Sequence, residues 1–175
     1  MRILRGPKSI GENRALSKED TVEHEINGRP GTAGRVAVVT GGGTGIGRAI
    51  ALGLAAEGAR VVVMGRREDK LLEVSAEASA LPGELIPFVG DVADDRLPGR
   101  LSAFVDERFG RLDVLIHNAG VFAPDALENL SAESFDQQMA INLRGPLFLT
   151  QALVPLLERG APSVVVMVSS NLGVK

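Results

Sequence analysis

From Arg35 onward the chain alternates short, continuously apolar, β-branched runs with longer segments of helical period, and few folds accept that order. The apolar runs are "RVAVVT" (35–40), "ARVVVMG" (59–65), "ELIPFVG" (84–90), "RLDVLIHNAG" (111–120) and "SVVVMVSS" (163–170). None alternates strictly between polar and apolar residues, as expected of strands covered on both faces. Between them lie "GIGRAIALGLAAEG" (45–58), closed by Gly58, and "EDKLLEVSAEASA" (68–80), ended by Pro82 and Gly83. Leu97, Leu101, Phe104 and Val105 then recur at helical spacing. A longer helical stretch runs from about Ser131 to Glu158, and Pro146, after Gly145, predicts a kink in it. Strict βα alternation implies a doubly wound α/β fold, a parallel sheet with helices on both faces.

Composition narrows the function. With 175 residues, 45% of them apolar, the chain can bury one sizeable core, which the pattern places in residues 34–175. Residues 1–33 show no sustained apolar period and read as a flexible extension, with a short helix expected within "SKEDTVEHEI" (17–26) behind Ser17 as N-cap. A net charge of −3 gives no electrostatic reason to expect nucleic acid or an anionic membrane as partner. The apolar run from Val164 to Val168 is far short of the roughly 20 residues of a spanning helix, and the basic start lacks the apolar stretch of a secretory signal. Cysteine is absent, so disulfides, thiolate chemistry and cysteine metal sites are excluded; no metal site is expected, and a reducing, cytoplasmic setting fits. Tyrosine and tryptophan are absent too, so no phenol within these residues can carry chemistry.

The densest signal is "TGGGTGIG" (40–47). In a doubly wound fold the first βα turn brings an anion to a helix N-terminus, where unpaired N–H groups and the helix dipole attract it. Gly41 allows a tight exit from the strand, Gly45 lets the backbone approach a pyrophosphate, and Gly47 lets the helix pack closely on the sheet. Thr40, Thr44 and Ile46 complete the candidate turn. About twenty residues later, where a carboxylate would grip the ribose 2′-OH of NAD, stand Arg66 and Arg67. An acid there would repel a 2′-phosphate and a guanidinium would bind it, so NADP(H) is expected over NAD(H).

"TGGGTGIG" resembles the cofactor motif of the short-chain dehydrogenases/reductases, and "HNAG" (117–120) resembles their N-N-A-G motif with His117 in place of the first Asn. His117, alone at a strand end, reads as a packed or hydrogen-bonded residue rather than a ligand. The resemblance implies a Rossmann-type domain, hydride transfer between a nicotinamide and a small alcohol or carbonyl compound, and homo-oligomers in the complete protein. It places Asp91 and Val92 at the adenine, and Asn118, Ala119 and Gly120 along the cofactor side of the fourth strand. Asn142 aligns with the family's helical Asn, holding a proton-relaying water, and Ser170 with its catalytic Ser, with Ser169 the alternative one position earlier. A serine hydroxyl can hydrogen-bond a carbonyl oxygen as charge develops on it.

The same resemblance calls for a Tyr and, four residues later, a Lys, roughly a dozen residues beyond the serine. Five residues follow Ser170, and none is tyrosine. The expectation is therefore a chain truncated after the cofactor-binding part and inactive alone; the alternative is a non-catalytic dinucleotide-binding or interaction protein. Extended epimerases and dehydratases usually show T-G-x-x-G-x-x-G, a spacing absent here.

Overall fold

The computed structural model describes residues 25–26, 29–123 and 126–170. The chain divides into two units, Met1–Gly31 and Thr32–Lys175. In the first, β1 (Glu25–Ile26) pairs antiparallel with β2 (Arg29–Pro30). Glu25 and Ile26 were expected to close a short helix; they are extended instead, paired through their backbone with a strand that ends at a proline. The remainder of that expected helix lies outside the described residues.

In the second unit the five apolar runs become one parallel sheet. Its elements are β3 (Val36–Thr40), α1 (Gly45–Ala56), β4 (Arg60–Gly65), α2 (Glu68–Glu77), β5 (Glu84–Val89), α3 (Leu97–Phe109), β6 (Val114–His117), α4 (Ala132–Met139), α5 (Gly145–Arg159) and β7 (Val164–Met167). The strand order is β5-β4-β3-β6-β7, with every neighbouring pair parallel, which is a Rossmann-type arrangement. Successive residues of each inner strand feed opposite cores. Val36, Val38, Val62, Met64 and Leu115 pack with Leu97, Leu101 and Val105 of α3 and with Leu149, Leu153 and Leu156 of α5. Ala37, Val39, Val61, Val63 and Ile116 pack with Ala51 and Ala55 of α1 and with Leu71 and Val74 of α2. Each buried Leu or Val contributes about 1.5–3 kcal/mol, which is why these runs stay apolar on both faces.

The long helical stretch forms, and it is interrupted just ahead of Pro146, where the kink was expected. A π-turn over Ala140–Arg144 joins α4 to α5, directly ahead of Pro146. Proline lacks an N–H, and its ring collides with the carbonyl four residues earlier; widening the turn just before it relieves both problems. Ser131 caps the start, its Oγ accepting from Ser134 N at 3.1 Å. Residues 132–159 are the one described helix long and apolar enough to cross a membrane by length and composition. Its buried leucines cover the sheet.

β7 lies at the sheet's edge. It pairs with β6 on one side, and Val164, Val165, Val166 and Met167 are 40–55% exposed. The strand order turns back between β3 and β6, the topological switch point at whose carboxyl ends ligands bind in open α/β sheets.

Candidate dinucleotide-binding site

The glycine turn leaves β3 at this switch point. Gly41 has φ +66°, and a Cβ on it would sit 2.9 Å from Asn118 Nδ2. Gly47 is buried, and a Cβ there would collide with Asn118 Nδ2 and the Gly41 carbonyl; only glycine lets α1 come this close. Gly45, at φ +56°, has nothing within 4 Å of where its Cβ would lie, so the turn is open on that side. The helix begins Gly-Ile-Gly-Arg, with no carboxylate to oppose an anion at its positive end.

A clasp between the two central strands fixes the turn. The Thr40 hydroxyl, buried at 1% exposure, accepts from Asn118 N at 3.0 Å and Ala119 N at 2.9 Å. Asn118 Nδ2 in return donates to Thr40 O at 3.0 Å and to Gly41 O at 3.3 Å. Four hydrogen bonds thus join residues nearly eighty positions apart in sequence, and they set the angle at which the turn meets the wall of β6.

Below the turn opens a cavity of about 330 Å³. Of the residues singled out from sequence, Gly41, Thr44, Arg66, Arg67, Asp91, Val92, Asn118, Ala119 and Gly120 line it. Thr40, Gly45, Ile46 and Gly47 do not: Thr40 and Gly47 are buried behind the lining, and Ile46 is exposed at the start of α1. Lys70, Leu71, Met64 and Ile141 also line the cavity and were missed from sequence. The cations gather at the β4–α2 end. Arg67 Nη2 donates to Thr44 Oγ1 at 3.2 Å. Arg66 Nη1 faces Asp91 Oδ2 at 3.9 Å, while Asp91 Oδ1 accepts from Ala93 N at 3.0 Å.

Asn142 and Ser170 stand apart from this lining. Asn142 sits on the π-turn, where its Oδ1 accepts from Val121 N at 2.9 Å and its Nδ2 donates to Val121 O at 2.8 Å. Both polar atoms of the side chain thus anchor the loop that follows Gly120, each using one of its two hydrogen-bonding positions. Ser170 lies three residues beyond β7 and is exposed.

His117 is packed and hydrogen-bonded, at 3% exposure, with Nε2 2.8 Å from Thr150 Oγ1. The Thr150 hydroxyl donates its proton to Pro146 O at 2.8 Å, so the imidazole must carry its hydrogen on Nε2 and donate. Nδ1 is then a buried acceptor with no hydrogen-bond partner among the described residues. Burial pushes the imidazole pKa down to about 4.

A parallel sheet with a glycine-rich turn, a helix N-terminus and a cation-rimmed cavity at its switch point defines a Rossmann-type domain of the dinucleotide-binding class. The family model for short chain dehydrogenases matches residues 35–175, and the chain belongs to that family. It is 36% identical over 140 residues to an uncharacterized oxidoreductase of Thermotoga maritima, covering 80% of this chain and 55% of that protein. It is 34% identical over 141 residues to the 3-oxoacyl-acyl-carrier-protein reductase FabG of the same organism, covering 81% and 57%. The solved structure of a metagenomic short-chain oxidoreductase in complex with NADP superposes with a TM-score of 0.75 at 35% identity, covering 79% of this chain and 63% of that one. The chain thus spans just over half the length of the curated relatives it matches.

Proposed function

We propose that residues 34–175 form the cofactor-binding part of an NADP(H)-dependent reductase acting on a small alcohol or carbonyl compound. The observation that carries this reading is the pair Arg66 and Arg67 directly after β4, lining the same cavity as Gly41, Gly43 and Thr44 of the glycine turn. The site fits the group: Gly45 leaves open backbone, Gly41 and Gly47 occupy positions where a side chain would clash, and the rim offers guanidinium donors. The NADP-bound relative supports the choice of cofactor. Bound there, NADP(H) would supply the hydride. The first turn of α1 would hold the pyrophosphate, Arg66 and Arg67 the 2′-phosphate, and Asp91 and Val92 the adenine. Asn118, Ala119 and Gly120 would form the wall toward the nicotinamide.

Ser170 would donate a hydrogen bond to the substrate oxygen, and Asn142 would keep the loop after Gly120 in place beside it. With no tyrosine in its 175 residues, the chain has no phenol to deliver a proton, so we read it as binding cofactor without reducing substrate on its own. The complete protein is read as a homo-oligomer. Calorimetric titration tests the reading: NADPH should bind more tightly than NADH, and Arg66→Asp should narrow or reverse the preference. Tighter binding of NADH by the unmodified chain would overturn the cofactor assignment, and NADPH oxidation with simple ketones, abolished by Ser170→Ala, would overturn the inactivity.

A further inference from the structure

The cations on the cavity rim are unequal, and the difference lies in what each already faces. Arg67 donates to the neutral hydroxyl of Thr44, the one of the three whose partner among the described residues is uncharged. Arg66 faces the Asp91 carboxylate. Lys70, in the first turn of α2, lies with its stem over the glycine turn, its Cβ 3.2 Å from where a Cβ on Gly43 would stand. Its Nζ donates to both oxygens of Glu73 at 2.7 Å, with Asp69 Oδ2 4.0 Å away. Lys70 is among the residues that line the cavity and Glu73 is not, and the Lys70 side chain is 35% exposed against 59% for that of Glu73, so the counter-ion is the more solvent-exposed of the pair.

We infer that Lys70 is a third contact for a 2′-phosphate and that Glu73 is its competing counter-ion, tuning how strongly the site prefers the phosphorylated dinucleotide. The inference rests on the reading of this cavity as the adenosine end of an NADP(H) site. A phosphate dianion arriving beside Arg67 comes within reach of an ammonium with three donors, two of them committed to Glu73. To donate to the phosphate, Lys70 must loosen one of those bonds, and the Glu73 charge opposes the incoming anion from the same side. Glu73 thus weakens NADP(H) while leaving NAD(H), which carries no 2′-charge, unaffected. Arg67, with no carboxylate to displace, makes the strongest of the three contacts.

The test is calorimetric titration of the chain and its Glu73→Gln, Lys70→Gln and double variants with NADPH, NADH, adenosine 2′,5′-bisphosphate and 5′-AMP, at low and high salt. Glu73 is exposed and Lys70 half-buried, and circular dichroism checks that each variant is folded. Glu73→Gln should tighten NADPH and the bisphosphate by about 2- to 5-fold, the span expected of an exposed ion pair, and leave NADH and 5′-AMP unchanged. Lys70→Gln should weaken the same two ligands, the double variant should show no tightening, and high salt should erase the differences. Equal effects of Glu73→Gln on phosphorylated and unphosphorylated ligands, or no effect of Lys70→Gln, would overturn this inference while leaving the dinucleotide site standing. A folded chain that binds none of the four ligands would overturn both.

Discussion

Acidification from pH 7 to pH 5 probes the surroundings of His117. At pH 7 the imidazole is neutral in the folded chain and mostly neutral in the unfolded one. Unfolded, it titrates near its ordinary value of 6.5; folded, burial holds it near 4. As pH falls through 6.5 the unfolded state takes up a proton that the folded state refuses, so stability present above pH 6.5 is lost progressively, and the loss is complete only below about pH 4. At about 1.4 kcal/mol per pH unit the full effect is about 3 kcal/mol, of which about 2 kcal/mol should be gone by pH 5. That is a large share of the 5–15 kcal/mol typical of a domain. The assay is urea unfolding followed by circular dichroism at pH 7, 6 and 5, for the chain and for His117→Asn. Carboxylates common to both proteins cancel in the difference. The variant loses the bond to Thr150 and should be less stable at pH 7, but its disadvantage should shrink by about 2 kcal/mol on going to pH 5. A difference that stays constant with pH would show that the buried imidazole does not resist protonation.

Gly47→Ala puts a methyl group against the Gly41 carbonyl and Asn118 Nδ2, and it should cost about 1–3 kcal/mol of stability together with at least tenfold in dinucleotide affinity. Unchanged affinity by calorimetry would show that the turn yields without disturbing the clasp. We expect the exposed edge strand β7 to draw chains together, and Val165→Lys should lower the mass seen in size-exclusion chromatography with light scattering, because a charge there opposes edge-to-edge pairing. Equal masses before and after the change would place the contact elsewhere.

All five strands of the parallel sheet were legible from sequence as apolar, β-branched runs; burial on both faces demands this of the inner strands, and Val36–Thr40 is buried throughout, whereas β7 keeps the pattern although its residues are exposed. The glycine turn was legible for a steric reason: only glycine tolerates the positive φ at Gly41 and the close approach at Gly47. Lys70 escaped notice because a lysine in the first turn of an exposed helix looks the same whether it faces solvent or a cavity; the packing of α2 over Gly43 decides. The hydroxyl of Thr40 binds partners that lie 78 and 79 residues away, a relation no local pattern records. Pro146 did announce a disturbance in the long helix, but not the π-turn over Ala140–Arg144 by which the chain meets it. Asn142 drew attention by resemblance, yet its pair of hydrogen bonds to the Val121 backbone depends on where the π-turn aims it.

The clasp between Thr40 and Asn118 also constrains the order in which the chain becomes competent to bind. β3, β4 and β5 are consecutive in sequence and adjacent in space, so that half of the sheet can form from short loops. β6 must then return past it and insert beside β3, and only that insertion brings the Asn118 amide to Thr40. Closing so long a loop is entropically slow compared with pairing neighbours. A nascent chain therefore acquires its turn-forming residues early and its binding site late, after residue 120 has left the ribosome. Nucleotide binding during refolding would consequently report the docking of β6 rather than the formation of the glycine turn itself.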